Sequence, residues 1–213
     1  MVDQFLNNTF VRFQAQNPDE KALPSYRHYS LQDYYYLLDF VKYRALRLAA
    51  VPDISNTELE SYLASETKSM ADFAAYASKF RNDTLVKELK INSTEIENGT
   101  RTVAELAYSN WLQKNEDSGW FTLYVKSIPC VYGWQKLAQK LHDDGNTNKS
   151  TKFYKTWIEP NMNSSSGKKL SALLDKYVER YNTTYMYSIW NSTFVEALQF
   201  EINFFNDSLN KTL

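Results

Sequence analysis

The chain's only cysteine sits in "KSIPCVYGW", residues 126–134, directly after a proline. That placement reads as the first turn of a helix. Unpaired backbone N–H groups and the positive end of the helix dipole favour a thiolate there, so Cys130 could act as a nucleophile. An inert core thiol fits the same position, because free cysteine is among the most buried residue types. A second candidate lies in "FVEALQFEINFFNDSL", residues 194–209. At helical spacing Glu201 neighbours Ala197, Leu198, Phe204 and Phe205, all apolar. Desolvation raises the pKa of such a carboxylate. It then serves as a proton donor near neutral pH, or as an architectural acid paired with a tyrosine or lysine. By contrast Glu196, beside Ser192, Thr193, Gln199 and Phe200, can reach water. In "SLQDYYYLLDFVKYRAL", residues 30–46, Asp33 shares a helix face with Tyr36, Leu37 and Phe40. It could be a site acid or an acid favoured near a helix start. Asp39 falls among Tyr35, Lys42 and Tyr43 and reads as a surface acid. The thiol is thus a candidate nucleophile and the two acids on apolar faces are candidate proton donors. No glycine-rich phosphate loop, serine elbow or metal-ligand spacing competes with them.

The elements that must position these groups read as helices throughout. Five glycines and five prolines in 213 residues are too few for a sheet protein that must turn often. Residues 1–15 form a short apolar-periodic segment, and "NPDEKALPSYRH" follows as a loop with Pro18 and Pro24 as breakers. A helix runs from Tyr29 to Ala50 and stops at "VPD", residues 51–53. Another spans 56–80, where Leu59, Tyr62, Leu63, Met70, Phe73 and Tyr76 keep helical spacing. The polar stretch 81–100 mixes a short helix with loop. A helix over about 102–114 ends at "NEDSG". Residues 120–125 and 130–142 are helical on either side of Pro129, "DDGNTNKS" is a loop, and 153–159 starts an element before Pro160. Helices over 166–181 and 185–209 close the chain. The sequence predicts an all-α bundle of eight or nine helices in one domain, residues 1–213, with no internal repeat and no linker.

A net charge of −1 leaves no electrostatic footprint for nucleic acid or anionic lipid. No apolar run approaches the length needed to cross a bilayer. A lone cysteine excludes an internal disulfide and any cysteine-cluster metal site. Without a recognisable leader, these features imply a cytoplasmic protein. Ten N-x-S/T sequons, at Asn7, Asn82, Asn92, Asn98, Asn148, Asn163, Asn182, Asn191, Asn206 and Asn210, are read as products of an Asn/Ser/Thr-rich composition. The aromatic share of 15%, with sixteen tyrosines and five tryptophans, can line a flat-ligand pocket or fill a core.

"LQDYYYLLDFVKYRALRLAA" (31–50), "AYSNWL" (107–112), "IPC" (128–130), "YKTWI" (154–158) and "FVEALQFEINFF" (194–205) occur in the order and spacing of the TenA family, which the chain resembles from about residue 5 onward. That family comprises thiaminase II and related aminopyrimidine hydrolases on the haem-oxygenase-like helical fold. The resemblance implies a divergent, stand-alone, fungal-type member that hydrolyses thiamin or a breakdown product such as an aminomethylpyrimidine. The product is 4-amino-5-hydroxymethyl-2-methylpyrimidine, and neither metal nor organic cofactor is needed. Carried over by position, Cys130 matches the nucleophile and Glu201 the acid that protonates the ring. Asp33 matches the acid that binds ring nitrogen and exocyclic amine, with Tyr36 beside it. Tyr108 and Tyr154 match tyrosines that line the pyrimidine. The resemblance also implies a homo-oligomer, a tetramer, in which Trp111, Trp120 and Trp157 serve an interface or a pocket. Three departures stand out. "NTFV" (8–11) replaces a common His-Pro-Phe-Val, Trp134 replaces a frequent tyrosine in the pocket wall, and Phe204-Phe205 replaces a Phe-Trp pair. The first two favour an alternative, a non-catalytic TenA-like protein that binds a pyrimidine or a partner, whereas the intact Cys130, Glu201, Asp33 and Tyr36 oppose it. A third reading, His28 or His142 as a haem ligand, fits poorly with a loop–helix junction and with "DDG".

Overall fold

In the computed structural model, which describes residues 1–52, 54–114, 119–209 and 211, α-helices and three π-helical turns carry the chain. The expected break at "NEDSG" falls mostly on residues outside that set, as do the last residue of "VPD" and the sequon at Asn210. In chain order the elements are α1 (Val2–Leu6), α2 (Thr9–Gln16), α3 (Asp19–Ala49), α4 (Asn56–Lys79), π1 (Phe80–Glu88), α5 (Ser93–Asn98), α6 (Val103–Gln113), α7 (Gly119–Lys126), π2 (Pro129–Gly133), α8 (Trp134–Asp143), π3 (Tyr154–Ile158), α9 (Glu159–Met162), α10 (Ser166–Tyr181) and α11 (Thr184–Ser208). No strand occurs among the described residues.

Side-chain caps start several of these helices. Ser55 Oγ accepts from the Glu58 N–H at the head of α4, and the Thr102 and Thr183 side chains do the same for α6 and α11. Asn92 and Glu95 form a reciprocal capping box on α5. The segment expected as one helix over 1–15 is split at Asn7–Asn8, because the Asn8 side chain accepts from the Phe10 N–H and begins α2.

Two expectations fail at prolines. The loop predicted around Pro18 and Pro24 is helix: Pro18 caps α3, and Pro24 lies inside it. A helix-interior proline costs about 3 kcal/mol. Burial of Ala22, Ser25, Tyr26 and Tyr29 on the same stretch offsets that cost. Pro160 likewise does not break the chain, which stays helical from π3 into α9.

α3 packs against α4 and α6, and α11 packs against α3, α6, α7 and π2. The main core lies between them and is aromatic. Phe10 and Phe205 have centroids 6.1 Å apart, Tyr108 stacks on Phe200 at 5.5 Å, and Trp134 lies 5.6 Å from Trp157. A smaller core of Tyr62, Trp120, Phe121, Tyr124, Tyr177 and Trp190 joins α4, α7, α10 and the start of α11. Among the described residues no helix is long and apolar enough to cross a membrane.

Candidate active site

α11 places Glu201 on its buried face, fully enclosed, with Ala197, Leu198, Phe204 and Phe205 also buried. Helical periodicity sets that face, and distant elements supply the partners. The Tyr108 hydroxyl on α6 donates to Oε1 at 2.7 Å, and the Trp134 indole N–H at the head of α8 donates to Oε2 at 2.8 Å. Burial pushes the Glu201 carboxyl up to about 7, although both donors pull it down. The indole at 134 thus supplies a donor to the acid.

Asp33 and Tyr36 face the same place from α3. Asp33 is buried, and its Oδ1 has no hydrogen-bond partner. Burial, then the Glu201 charge, raises its carboxyl well above the ordinary range. The Tyr36 ring lies 4.8 Å from Tyr108 and 6.0 Å from Phe204, and its buried hydroxyl is also unpartnered. Asp33 and Tyr36, one turn apart on α3, thus bring two buried polar atoms with spare hydrogen-bonding capacity to the same place.

Cys130 lies in π2, where the Trp134 N–H bonds back to the Pro129 carbonyl. The free helix start expected there is absent. Ser127 and Ile128 alone separate α7 from π2, and the Val131 N–H already bonds to the Ser127 carbonyl at 3.0 Å. The thiol donates to that same carbonyl at 3.3 Å. Cys130 keeps partial exposure, yet burial of its sulfur, followed by the Glu201 charge, pushes the thiol up to about 12. Tyr36, Arg44 and Arg47 oppose that rise. The resting group is a thiol, and the expectation of a dipole-stabilised thiolate is corrected.

The structure therefore brings Asp33, Tyr36, Tyr108, Cys130, Trp134 and Glu201 together. Tyr154 stands apart in its polar contact, since its hydroxyl pairs with His142 Nδ1 at 2.7 Å. Trp157, three residues on, reaches inward instead: it packs on Trp134, and its N–H donates to the Tyr29 hydroxyl at 3.2 Å. Helical spacing after Tyr154 was the available signal, and it does not choose between the two rings. His28 faces Asp207 at 3.6 Å. Asp39, expected at the surface, is buried and ion-paired with Lys42 at 2.7 Å and with Arg101. Glu196 is exposed as expected and accepts from the Trp111 N–H. No group of three His, Cys, Asp or Glu side chains that could hold a metal occurs among the described residues.

Residues 20–211 match the model of the TENA/THI-4/PQQC family. No curated protein sequence gives a match. Among solved structures, the chain is similar to a TenA homologue from Pyrococcus furiosus, with a TM-score of 0.79 at 17% identity, covering 97% of this chain and 93% of that one. A TenA family transcription regulator from Silicibacter sp. TM1040 gives a TM-score of 0.75 at 19% identity, covering 98% and 91%. A protein from Sulfolobus solfataricus named as a candidate TenA-like thiaminase gives 0.72 at 19% identity, covering 99% and 91%. At these identities the likeness establishes the fold.

Proposed function

The chain belongs to the TENA/THI-4/PQQC family, and from that membership and the site we propose that it is a thiamin-salvage hydrolase. It takes thiamin or an aminopyrimidine breakdown product and releases 4-amino-5-hydroxymethyl-2-methylpyrimidine. The observation that carries this reading is the convergence on one thiol of a carboxyl poised at about 7, a second buried carboxyl with an unpartnered oxygen, and an unpartnered phenol. An aminopyrimidine offers what these groups lack. Its exocyclic amine and a ring nitrogen would pair with Asp33, while its flat ring would lie against Tyr36 and Tyr108.

Glu201 is the general acid. Close to pH 7 both its forms are populated, which suits a group that must give and regain a proton. In the addition step the Cys130 sulfur bonds to a ring carbon, and the C=N electrons move onto nitrogen, which takes the Glu201 proton. The thiol proton must then return to the carboxylate. Tyr36 adjoins the thiol and Tyr108, and Tyr108 donates to Glu201, so the two phenols form a route for it. The leaving group departs from the exocyclic methylene, water adds there, and expulsion of the thiol restores the aromatic ring. The net change is substrate plus water to hydroxymethylpyrimidine plus leaving group. As an expectation from the family, the active form is a homo-oligomer.

One observation favours the alternative of a pyrimidine-binding protein without turnover: the resting thiol, pushed up to about 12 and tied to the Ser127 carbonyl, is a weak nucleophile. The test is incubation of wild type and Cys130→Ala with thiamin and with the aminomethylpyrimidine, following hydroxymethylpyrimidine by mass-detected chromatography. Product from wild type alone is expected. Calorimetric binding of the pyrimidine without product from either protein would replace the hydrolase with the binder.

A further inference from the structure

Arg47 and Glu66 are buried and Arg44 is half-buried beside the site, and the proposed chemistry assigns them nothing. Arg47 on α3 is buried, with Nη2 on Glu66 Oε1 of α4. Arg44 reaches the same oxygen at 3.7 Å and donates to Ser69 Oγ at 2.7 Å. Glu66, itself buried, also accepts from the Tyr124 hydroxyl at 3.3 Å. Two guanidinium groups thus share one carboxylate, which leaves net positive charge inside the bundle. Arg44 registers it: burial and the Arg47 charge hold its guanidinium below its usual value.

Burying an excess charge is costly, and a structural role needs only one arginine per carboxylate. The surplus lies on the thiol side. Along one stripe of α3, Tyr36, Tyr43 and Arg47 follow at helical spacing, and the Arg47 guanidinium covers the Tyr43 ring at 5.5 Å and the Tyr124 ring at 4.3 Å. The Tyr43 hydroxyl, buried and without a formed hydrogen bond, faces Ser127 and Cys130. Tyr43 thus carries the guanidinium over its ring and has Ser127 and Cys130 among the groups that act on its hydroxyl.

We propose that Arg44, Arg47 and Glu66 are positioning residues for Cys130, holding uncompensated positive charge behind the thiol so that the thiolate formed during ring attack is stabilised. The proposal rests on the reading of Cys130 as nucleophile, and it supplies what that reading lacks: a force acting against burial. The groups facing the thiol are Tyr36, Tyr43, Arg44 and Arg47 from α3, Tyr108 from α6 and Glu201 from α11. Glu201 is the group that resists ionisation of the thiol, and the arginines are the cations that assist it.

Alkylation of Cys130 by iodoacetamide, in which the thiolate carbon–sulfur bond forms as iodide leaves, reads this directly as a function of pH. Arg47→Met should slow alkylation about 10- to 20-fold below the thiol pKa, from the Coulomb energy of one charge roughly 10–12 Å away at an effective dielectric of about 20. Arg47→Lys, which keeps the charge, should restore most of the rate. Glu66→Gln, which keeps the shape and frees the arginines from their counter-charge, should accelerate alkylation by a similar factor. Loss of packing alone cannot give opposite signs for Arg47→Met and Glu66→Gln. If Arg47→Met does not fold, Glu66→Gln decides alone. Unchanged or slower alkylation in Glu66→Gln overturns the proposal. These rates are independent of turnover, so the shifts can appear in a protein that releases no product. That result would sink the hydrolase and spare the electrostatic device.

Discussion

Replacing Glu201 by glutamine should change how stability depends on pH. The folded protein holds this carboxyl at about 7 against an ordinary 4.5. At 1.36 kcal/mol per pH unit, that difference corresponds to about 3 kcal/mol. Because the folded value is the raised one, the stabilisation is full below the unfolded value. It is lost as pH rises through about 7. Burial and the Glu201 charge raise Asp33 too, so it adds to the same trend, whereas His28, which burial holds below its usual value, opposes it. Glutamine cannot ionise, so the Glu201 share of the slope disappears, the Asp33 share falls to what burial alone gives, and the His28 share remains. The amide can keep both contacts, its oxygen accepting from the Trp134 indole N–H and its N–H donating to the Tyr108 hydroxyl oxygen. Glu201→Gln should therefore lie close to wild type in acid and become the more stable of the two as pH rises through about 7. Urea unfolding across the pH range, followed by far-UV circular dichroism, measures both curves. Equal slopes for the two proteins would refute a buried, elevated Glu201.

Trp134→Phe removes a donor that lowers the Glu201 pKa, so the alkaline limb of kcat/KM should move to higher pH, with kcat reduced; an unmoved limb counts against the indole–carboxylate bond. Cys130→Ala should abolish product release while calorimetry still detects pyrimidine binding. Asp39 is buried, but the Lys42 and Arg101 charges outweigh burial and hold its carboxyl below its ordinary value. Its share of stability is present above that value and fades as pH falls, and Asp39→Asn should lower stability near neutrality by about 1–3 kcal/mol in urea unfolding. At Gly99 an added Cβ would collide with the Tyr35 hydroxyl, itself bonded to the Ile96 carbonyl at 2.9 Å. Gly99→Ala should lower the unfolding free energy by about 1–3 kcal/mol, and an unchanged urea midpoint would show that the contact yields.

Helical periodicity alone fixed the class of the fold, the courses of α4, α6, α10 and α11, and the apolar surroundings of Glu201. Those are properties of neighbours three and four residues apart, and they need no knowledge of where the chain goes next. The resemblance of short motifs to a family then set Cys130, Asp33, Tyr36, Tyr108 and Trp134 beside that acid. Tertiary packing decided the rest. Tyr108 and Trp134 reach Glu201 across 93 and 67 residues of sequence, which no local spacing encodes. Packing also settled the cases in which local signals pointed elsewhere. Pro24 sits inside α3 because the residues around it bury well, and Asp39 is enclosed because Arg101 arrives from the start of α6. Cys130 is a protonated thiol because π2 follows α7 with almost no gap and packing buries the sulfur near the Glu201 charge. The sequence determined which residues could do chemistry. Only the approach of distant helices determined their charge, because desolvation and Coulomb forces act between groups that the chain brings together last.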